Sequence, residues 1–327
     1  MKKGLVLGKF LPVHKGHLGL IHFALKRCDH LTVLLCHHTG EPIAGSQRMQ
    51  WLIDIFFSHP NVTLVAVEYN PADLTDTSEA DEKHAKAWAK KIGALLPSVN
   101  VFFSSEIYGD VFAAALGAQH ILFDNKRTIV PVSASAIRQK PFMYWDYLPT
   151  NVQPCFVKKV ALLGSESTGK STLAEALAAR YNTCFVPEAA REVMGHTNDC
   201  TEETLFQVAT LHAQKIVSTA KQANKLLFCD TDLNITKSYS RFLFKKELVV
   251  PSWIEETNRC DLYLFLATDC PYVQDGTRLS APKREDLSKS HLEQLRRSFV
   301  SVISISGDWQ NRFVQACKAV DKLIAEL

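Results

Sequence analysis

The first half of the chain alternates short apolar runs, rich in Leu and β-branched residues, with longer stretches whose apolar positions return every three or four residues. The short runs predict strands over Gly4–Gly8, Leu31–His37, Val62–Val67, Val99–Ser104 and His120–Phe123. The longer periods predict helices near His17–Cys28, Gln47–Phe57, Glu82–Leu96 and Ile107–Leu116. This spacing implies a parallel sheet covered on both faces, since parallel neighbours need a crossover of roughly a dozen residues or more. Three prolines then fall between Pro141 and Pro154, where periodicity fades, and mark a junction. Beyond it the alternation restarts. Strands are predicted at Lys158–Leu163, Thr183–Val186, Leu226–Asp230, Asp261–Leu266 and Val300–Ile305, and helices at Lys170–Arg180, Thr201–Ala223 and Trp309–Leu327. The expected fold class is α/β: two three-layer parallel-sheet domains in series, 1–150 and 151–327.

Composition narrows the classes of function. At 327 residues, 46% hydrophobic and 22% charged, the chain has material for two cores and is too apolar for disorder. Its 37 basic and 34 acidic side chains leave a net charge of +3, which argues against a broad electrostatic grip on nucleic acid. No apolar run approaches the roughly 18 residues of a membrane span. The start, Met1-Lys2-Lys3 followed by Gly4-Leu5-Val6-Leu7-Gly8-Lys9, is too short in its apolar core for an export signal. The nine cysteines are scattered without a CxxC pair, which fits free thiols in a reducing cytoplasm. A homo-oligomer stays open.

The sharpest chemical signal is Gly164-Ser165-Glu166-Ser167-Thr168-Gly169-Lys170-Ser171, continued by Thr172, which satisfies GxxxxGK[ST] between a predicted strand and a predicted helix. Its glycines let successive N–H groups turn toward phosphate oxygens. Lys170 reaches the β- and γ-phosphates of ATP, and the Ser171 hydroxyl ligates Mg²⁺. Asp230, at the end of an apolar strand, is the acidic partner for that metal, with a helix-capping carboxylate as the alternative. Glu188 and Arg191, after the second strand, fall at the same sheet edge, where Glu188 would accept a hydroxyl proton and Arg191 would hold substrate. Asp275, Arg278 and Arg284 lie in or beside a Gly- and Pro-bearing loop that either closes over polyphosphate or begins a solvated charged helix through Lys283–Arg297.

A second phosphate signal follows the first strand: Gly8-Lys9-Phe10-Leu11-Pro12-Val13-His14-Lys15-Gly16-His17. His14 and His17 open a helix whose N-terminus offers N–H donors to phosphate, and no third ligand nearby supports a zinc pair. GxFxPxHxGH resembles the signature of the nucleotidylyltransferase superfamily. Val132-Ser133-Ala134-Ser135-Ala136-Ile137-Arg138 resembles its second signature, with Ser135 in place of the usual threonine.

An adenylyltransferase joined to a P-loop kinase resembles one family in particular, the bifunctional nicotinamide-mononucleotide adenylyltransferase/ribosylnicotinamide kinases of NadR type. Ser104–Asp110, Asp124–Arg127, Pro187–Glu192 and Asp230–Asp232 add to the likeness, which runs over nearly the whole chain. One departure is Ala189-Ala190, where an aromatic is expected. The resemblance implies a Rossmann-like adenylyltransferase domain followed by the kinase. ATP would be co-substrate in both and Mg²⁺ the cofactor, with nicotinamide riboside, nicotinamide mononucleotide and NAD as partners. In the first domain it implies ATP contacts from Gly8, Lys9, Phe10, His14, His17, Asp124, Arg127, Ser133, Ser135 and Arg138. Mononucleotide contacts are expected from Arg48, Trp88, Ser105 and Tyr108. From the residues alone, Arg48 is equally a surface arginine, and a tryptophan in Ala87-Trp88-Ala89 is more often a core residue than a ligand. In the second domain it implies catalytic Lys170, Glu188 and Asp230, with Glu188, Arg191, Asp230 and Asp275 around the riboside. The first strand begins at residue 4, so the DNA-binding helix-turn-helix of some members, and with it a repressor role, is not expected. The alternatives are a similar fusion acting on another phosphorylated acceptor, and a nucleotide sensor.

Overall fold

A computed structural model of the chain describes residues 1–74, 82–96, 98–194, 200–272 and 281–326. They form two compact units, Met1–Gln153 and Pro154–Leu327. The first contains β1 (Lys3–Gly8), α1 (Lys15–Leu25), β2 (His30–His37), α2 (Gly45–Phe56), β3 (Val62–Glu68), α3 (Glu82–Leu95), β4 (Val101–Ser104), α4 (Gly109–Ala115), β5 (Gln119–Leu122) and α5 (Ala134–Gln139). Its sheet is fully parallel in the order β3-β2-β1-β4-β5, with Val6 opposite both Val33 and Phe103. The chain leaves β1 toward β2 on one side and reaches β4 on the other. The switch opens a crevice at the carboxyl ends of β1 and β4, where ligands of open α/β sheets gather. Leu5, Leu34, Phe102, Phe112, Trp88 and Ile92 fill the core beneath it.

The second unit contains β6 (Lys158–Leu163), α6 (Lys170–Arg180), β7 (Cys184–Val186), α7 (Ala190–Val193), α8 (Glu202–Ala220), β8 (Leu226–Asp230), α9 (Leu233–Phe244), α10 (Ser252–Asn258), β9 (Leu262–Leu266), α11 (Ala281–Arg297), β10 (Ile303–Ile305) and α12 (Trp309–Ala325). Its sheet is again parallel, in the order β10-β9-β6-β8-β7. All five residues of β8 are buried, as a strand covered on both faces requires, which is why Leu226–Cys229 reads as an unbroken apolar run ahead of Asp230. The switch falls at β6, between β8 and β9.

Short helices α7 and α10 are absent from the periodic reading, and two further departures have identifiable reasons. The α9 helix is absent from the periodic reading because Leu233–Phe244 mixes Ser, Thr, Asn and Lys among its apolar positions. The Asp232 carboxylate starts it by accepting from the Ile235 N–H at 3.1 Å. The last strand begins later than Val300 because Phe299 adopts a left-handed φ of 54° and the Val300 N–H returns to the Leu295 carbonyl at 2.9 Å. Val300 therefore belongs to the exit of α11. Among the described residues no helix is long and apolar enough to cross a membrane.

Two candidate phosphate-binding clefts

The first cleft, of about 310 Å³, lies at the switch of the first sheet. Gly8, Lys9, Phe10, His14, His17, Ser105, Tyr108, Asp124, Arg127, Ser133, Ser135 and Arg138 all line it, so most of the residues implied for the adenylyltransferase are brought together there. His14 is the N-cap of α1: its Nδ1 accepts the Gly16 N–H at 3.1 Å, which leaves the hydrogen of the neutral ring on Nε2. Gly16 is required for this arrangement, because a Cβ there would lie 2.9 Å from the His14 ring. The rings of His14 and His17 stack at 3.7 Å, and Phe10 meets His17 edge-on at 4.9 Å. Burial, reinforced by the Arg127 charge, lowers the His14 pKa to about 4. Burial, with His14 and Arg127 adding to it, drives His17 well below the usual range. Both rings are thus neutral donors at pH 7, and the buried His17 Nδ1 has no protein partner among the described residues.

Across the cleft, Ser133 caps α5 by accepting the Ala136 N–H at 3.1 Å, and its hydroxyl lies 3.1 Å from that of Ser135. Arg138, one turn in, donates to the Leu11 carbonyl and so ties α5 to the loop after β1 while the residue still lines the cleft.

Three expectations for this cleft are revised by the geometry. The Asp124 carboxylate accepts the N–H groups of Thr128, Ile129 and Val130 at 2.7–3.1 Å, so it closes its own loop and offers a nucleotide little acceptor capacity. Arg48 is neither at the surface nor in the cleft lining. It is 0% exposed, paired with Glu41 and donating to the Lys9 carbonyl at 2.7 Å, which fixes the backbone of the phosphate loop from behind. Trp88 is 1% exposed and packs edge-on against Tyr69 within the core, so it has no face to offer a nicotinamide ring.

The second cleft, of about 630 Å³, is lined by Gly164, Glu166, Ser167, Thr168, Gly169, Lys170, Ser171, Thr172, Glu188 and Arg191, with Tyr239 and His212 deeper in. The loop from Gly164 to Gly169 wraps ahead of α6. Gly164 has φ 140°, and a Cβ there would lie 2.7 Å from the Leu266 carbonyl, so only glycine fits between β6 and β9. Lys170 Nζ spans the loop and donates to the Ser165 carbonyl at 2.9 Å; the Thr168 hydroxyl donates to the same oxygen at 2.9 Å. The Ser165 side chain itself is buried outside the lining. Ser171 donates to Asp230 Oδ2 at 2.5 Å, and Asp230 Oδ1 is buried with no protein partner among the described residues. Burial raises the Asp230 pKa, and Glu188 adds to the shift while Lys170 opposes it. Glu188 faces the cavity and is paired with Arg191 at 3.5 Å.

Arg284 is the clear correction here. It is 4% exposed and donates to the carbonyls of Glu166, Ser167 and Cys270 at 3.0–3.2 Å, so it braces the loop's backbone from outside and has no free edge for ATP. Asp275 and Arg278 lie outside the described residues. A second brace carries no motif in the sequence. Arg312, on α12 and 2% exposed, donates to the carbonyls of Thr168, Gly307 and Ala267 at 2.8–3.0 Å and pairs with Asp269. Removing its head group strands those buried carbonyls. Arg312→Met is expected to destabilise the second unit by about 2–4 kcal/mol and to weaken phosphoryl transfer. An unfolding curve matching the unaltered protein's would refute the brace.

The donor set at Ser171 and Asp230 suits Mg²⁺, which takes one or two carboxylates and completes its shell with hydroxyl, phosphate and water oxygens. The unpartnered Asp230 Oδ1 beside the Ser171 hydroxyl is such a place. Among the described residues there is no group of three or more His, Cys, Asp or Glu that could hold a metal.

Comparison with known proteins adds three findings. A family profile described as an AAA domain matches residues 159–312. The trifunctional NAD biosynthesis/regulator protein NadR of Salmonella typhimurium is 30% identical over 350 residues, covering 99% of this chain and 83% of that protein. Two solved structures superpose with a TM-score of 0.77: a NadR protein in complex with NAD and AMP-PNP, 22% identical and covering 99% of this chain and 96% of the other, and a NadR protein in complex with NR, 21% identical and covering 98% and 95%.

Proposed function

The chain belongs to the NadR family, and from that premise we propose that its two clefts carry out two successive ATP-dependent steps of NAD formation. In the unit starting at Pro154, ATP phosphorylates the 5′-hydroxyl of nicotinamide riboside to give nicotinamide mononucleotide. In the unit ending at Gln153, the mononucleotide's phosphate attacks the α-phosphorus of a second ATP, giving NAD and pyrophosphate. The observation that carries this reading is that each sheet has its own phosphate cradle at its own switch point, built from different residues.

In the kinase cleft the loop N–H groups and Lys170 hold the transferring phosphoryl group in line. They lower the barrier by fixing donors where charge develops. Ser171 and Asp230 would hold Mg²⁺, which when bound would supply charge neutralisation for the polyphosphate. Glu188 fits the role of proton acceptor for the attacking hydroxyl better than Asp230 does. Its side chain opens to the cavity, whereas Asp230 is 1% exposed and already engaged by Ser171. Arg191, beside Glu188, would orient the riboside.

The adenylyl step needs no general base, because the attacking phosphate is already anionic. Alignment and charge stabilisation suffice. His14 Nε2–H, His17 and the N-terminus of α1 would grip the triphosphate from one side. Arg138, with donors beyond the one given to Leu11, would meet the departing pyrophosphate. Nine free thiols support a reducing, cytoplasmic setting.

The test is a product assay with purified protein and ATP. Nicotinamide riboside should yield NAD by way of the mononucleotide, and added mononucleotide should yield NAD directly. Turnover of pantetheine or pyrimidine substrates alone would replace this reading with a different fusion enzyme. Binding without release of ADP or pyrophosphate would replace it with a sensor.

A further inference from the structure

The first cleft contains a hydrogen-bonded relay that the scheme above does not use. Ser104, at the carboxyl end of β4 and lining the cleft, lies 2.9 Å from His120 Nε2, and His120 Nδ1 lies 2.7 Å from Asp110 Oδ1. A carboxylate accepts only, so Nδ1 carries the hydrogen toward Asp110 and in the neutral ring Nε2 is an acceptor, which shares the single Ser104 hydroxyl hydrogen with the Glu106 carbonyl. The ring lies nearly parallel to Phe102 of the core, with centroids 5.8 Å apart, and its side chain is only 6% exposed. Ser104 Oγ also accepts the Glu106 N–H at 3.3 Å and lies 3.0 Å from the Glu106 carbonyl. The relay therefore reaches from helix α4, through a ring anchored on the core, to the backbone of the turn between β4 and α4.

That turn is a wall of the cleft. It contributes Ser104, Ser105, Glu106 and Tyr108, two hydroxymethyl groups, a carboxylate and a phenol, with no cation among them. With its one charge, Glu106, paired to Arg127 at 3.6 Å, such a surface offers hydroxyls and an aromatic ring and suits the hydroxyl-rich, aromatic nucleoside portion of a nucleotide. Space for the relay is kept by Gly109, where a Cβ would lie 2.6 Å from Ser104 Oγ and closer still to the His120 ring.

We propose that His120, held between Asp110 and Ser104, is a positioning residue for adenylyl transfer, fixing the turn that seats a nucleoside moiety. The inference rests on the adenylyltransferase reading. Its occupant is the nucleoside portion common to ATP and nicotinamide mononucleotide, and separate titrations of the two distinguish which one the turn seats.

The experiment compares His120→Ala, His120→Gln and His120→Asn in the full chain, with KM for each nucleotide and kcat measured for NAD formation. A glutamine amide can occupy the place of Nε2 and keep the Ser104 contact; an asparagine amide keeps the Asp110 side instead. His120→Ala is expected to raise KM for one of the two nucleotides about five- to tenfold with kcat changed less than about twofold. His120→Gln should recover most of the loss and His120→Asn little. Wild-type KM values in all three variants would overturn the proposal, and so would equal damage in Gln and Asn, which would reduce His120 to a packing role against Phe102. Failure of the unaltered protein to form NAD from the mononucleotide would overturn the reading beneath it as well, an outcome distinct from an active enzyme indifferent to residue 120.

Discussion

Replacing Lys170 with alanine is expected to lower phosphorylation of nicotinamide riboside by a factor of about 10²–10³, the usual cost of deleting one fixed donor aimed at developing charge. The size follows from where the ammonium sits. Lys170 opens α6, and its Nζ crosses the loop to the Ser165 carbonyl at 2.9 Å, so its charge lies against the loop backbone that lines the cleft. Lys170→Arg should rescue poorly, because a planar fork cannot replace a point charge at that bend. Adenylylation of supplied mononucleotide should stay within about twofold, since every residue lining the first cleft belongs to the other sheet's unit. Assaying the two half-reactions separately decides the matter. Equal loss of both would contradict two independent cradles.

The complementary substitution is His17→Ala, which should depress NAD formation from mononucleotide by about 10²–10³ and spare the kinase. His17 is buried, stacked on His14 and edged by Phe10, so its loss removes a donor and also leaves the His14 ring without a wall. The pH profile of the unaltered enzyme is a second check. With the His14 pKa lowered to about 4 by burial and Arg127, no acid limb from that ring should appear near pH 6.5. In kcat/KM its protonation should be felt only as pH approaches about 4. An inflection near 6.5 that vanishes in His14→Asn would show the ring to be solvated and the cleft looser than described.

The clefts differ from the rest of the chain in how plainly the sequence announces them. A loop that must wrap phosphate needs glycines where a side chain would collide, and Gly16 and Gly164 are such places: each would put a Cβ within 3 Å of a neighbour. Strand–helix alternation was equally legible, because buried parallel strands are continuous apolar runs. The bracing is not legible. Arg312 supports Thr168 across 144 residues, and Arg284 supports Ser167 across 117. In the sequence each is one more cation on an amphipathic or charged helix, and Arg284 even resembled a ligand because loops that cover phosphate often carry arginine. Arg48 misled for the same reason: its partner Glu41 is identified by the fold, not by spacing. Trp88 reads from Ala87-Trp88-Ala89 as a core residue more often than a ligand, and Tyr69 packs against it there. The relay through His120 was hidden because Ser104, Asp110 and His120 converge only once β5 lies beside β4.

The distance along the chain between Thr168 and Arg312 has a bearing on how the molecule is made. Synthesis runs from the N-terminus, and the earlier unit, with all of its own contacts already translated, can assemble while the later one is still emerging. The glycine-bearing loop of the second cleft is emitted early, yet its external strut arrives 144 residues afterwards. On the ribosome, then, every residue of the first cleft has been made before the strut of the second exists, the reverse of the order in which the two proposed reactions run.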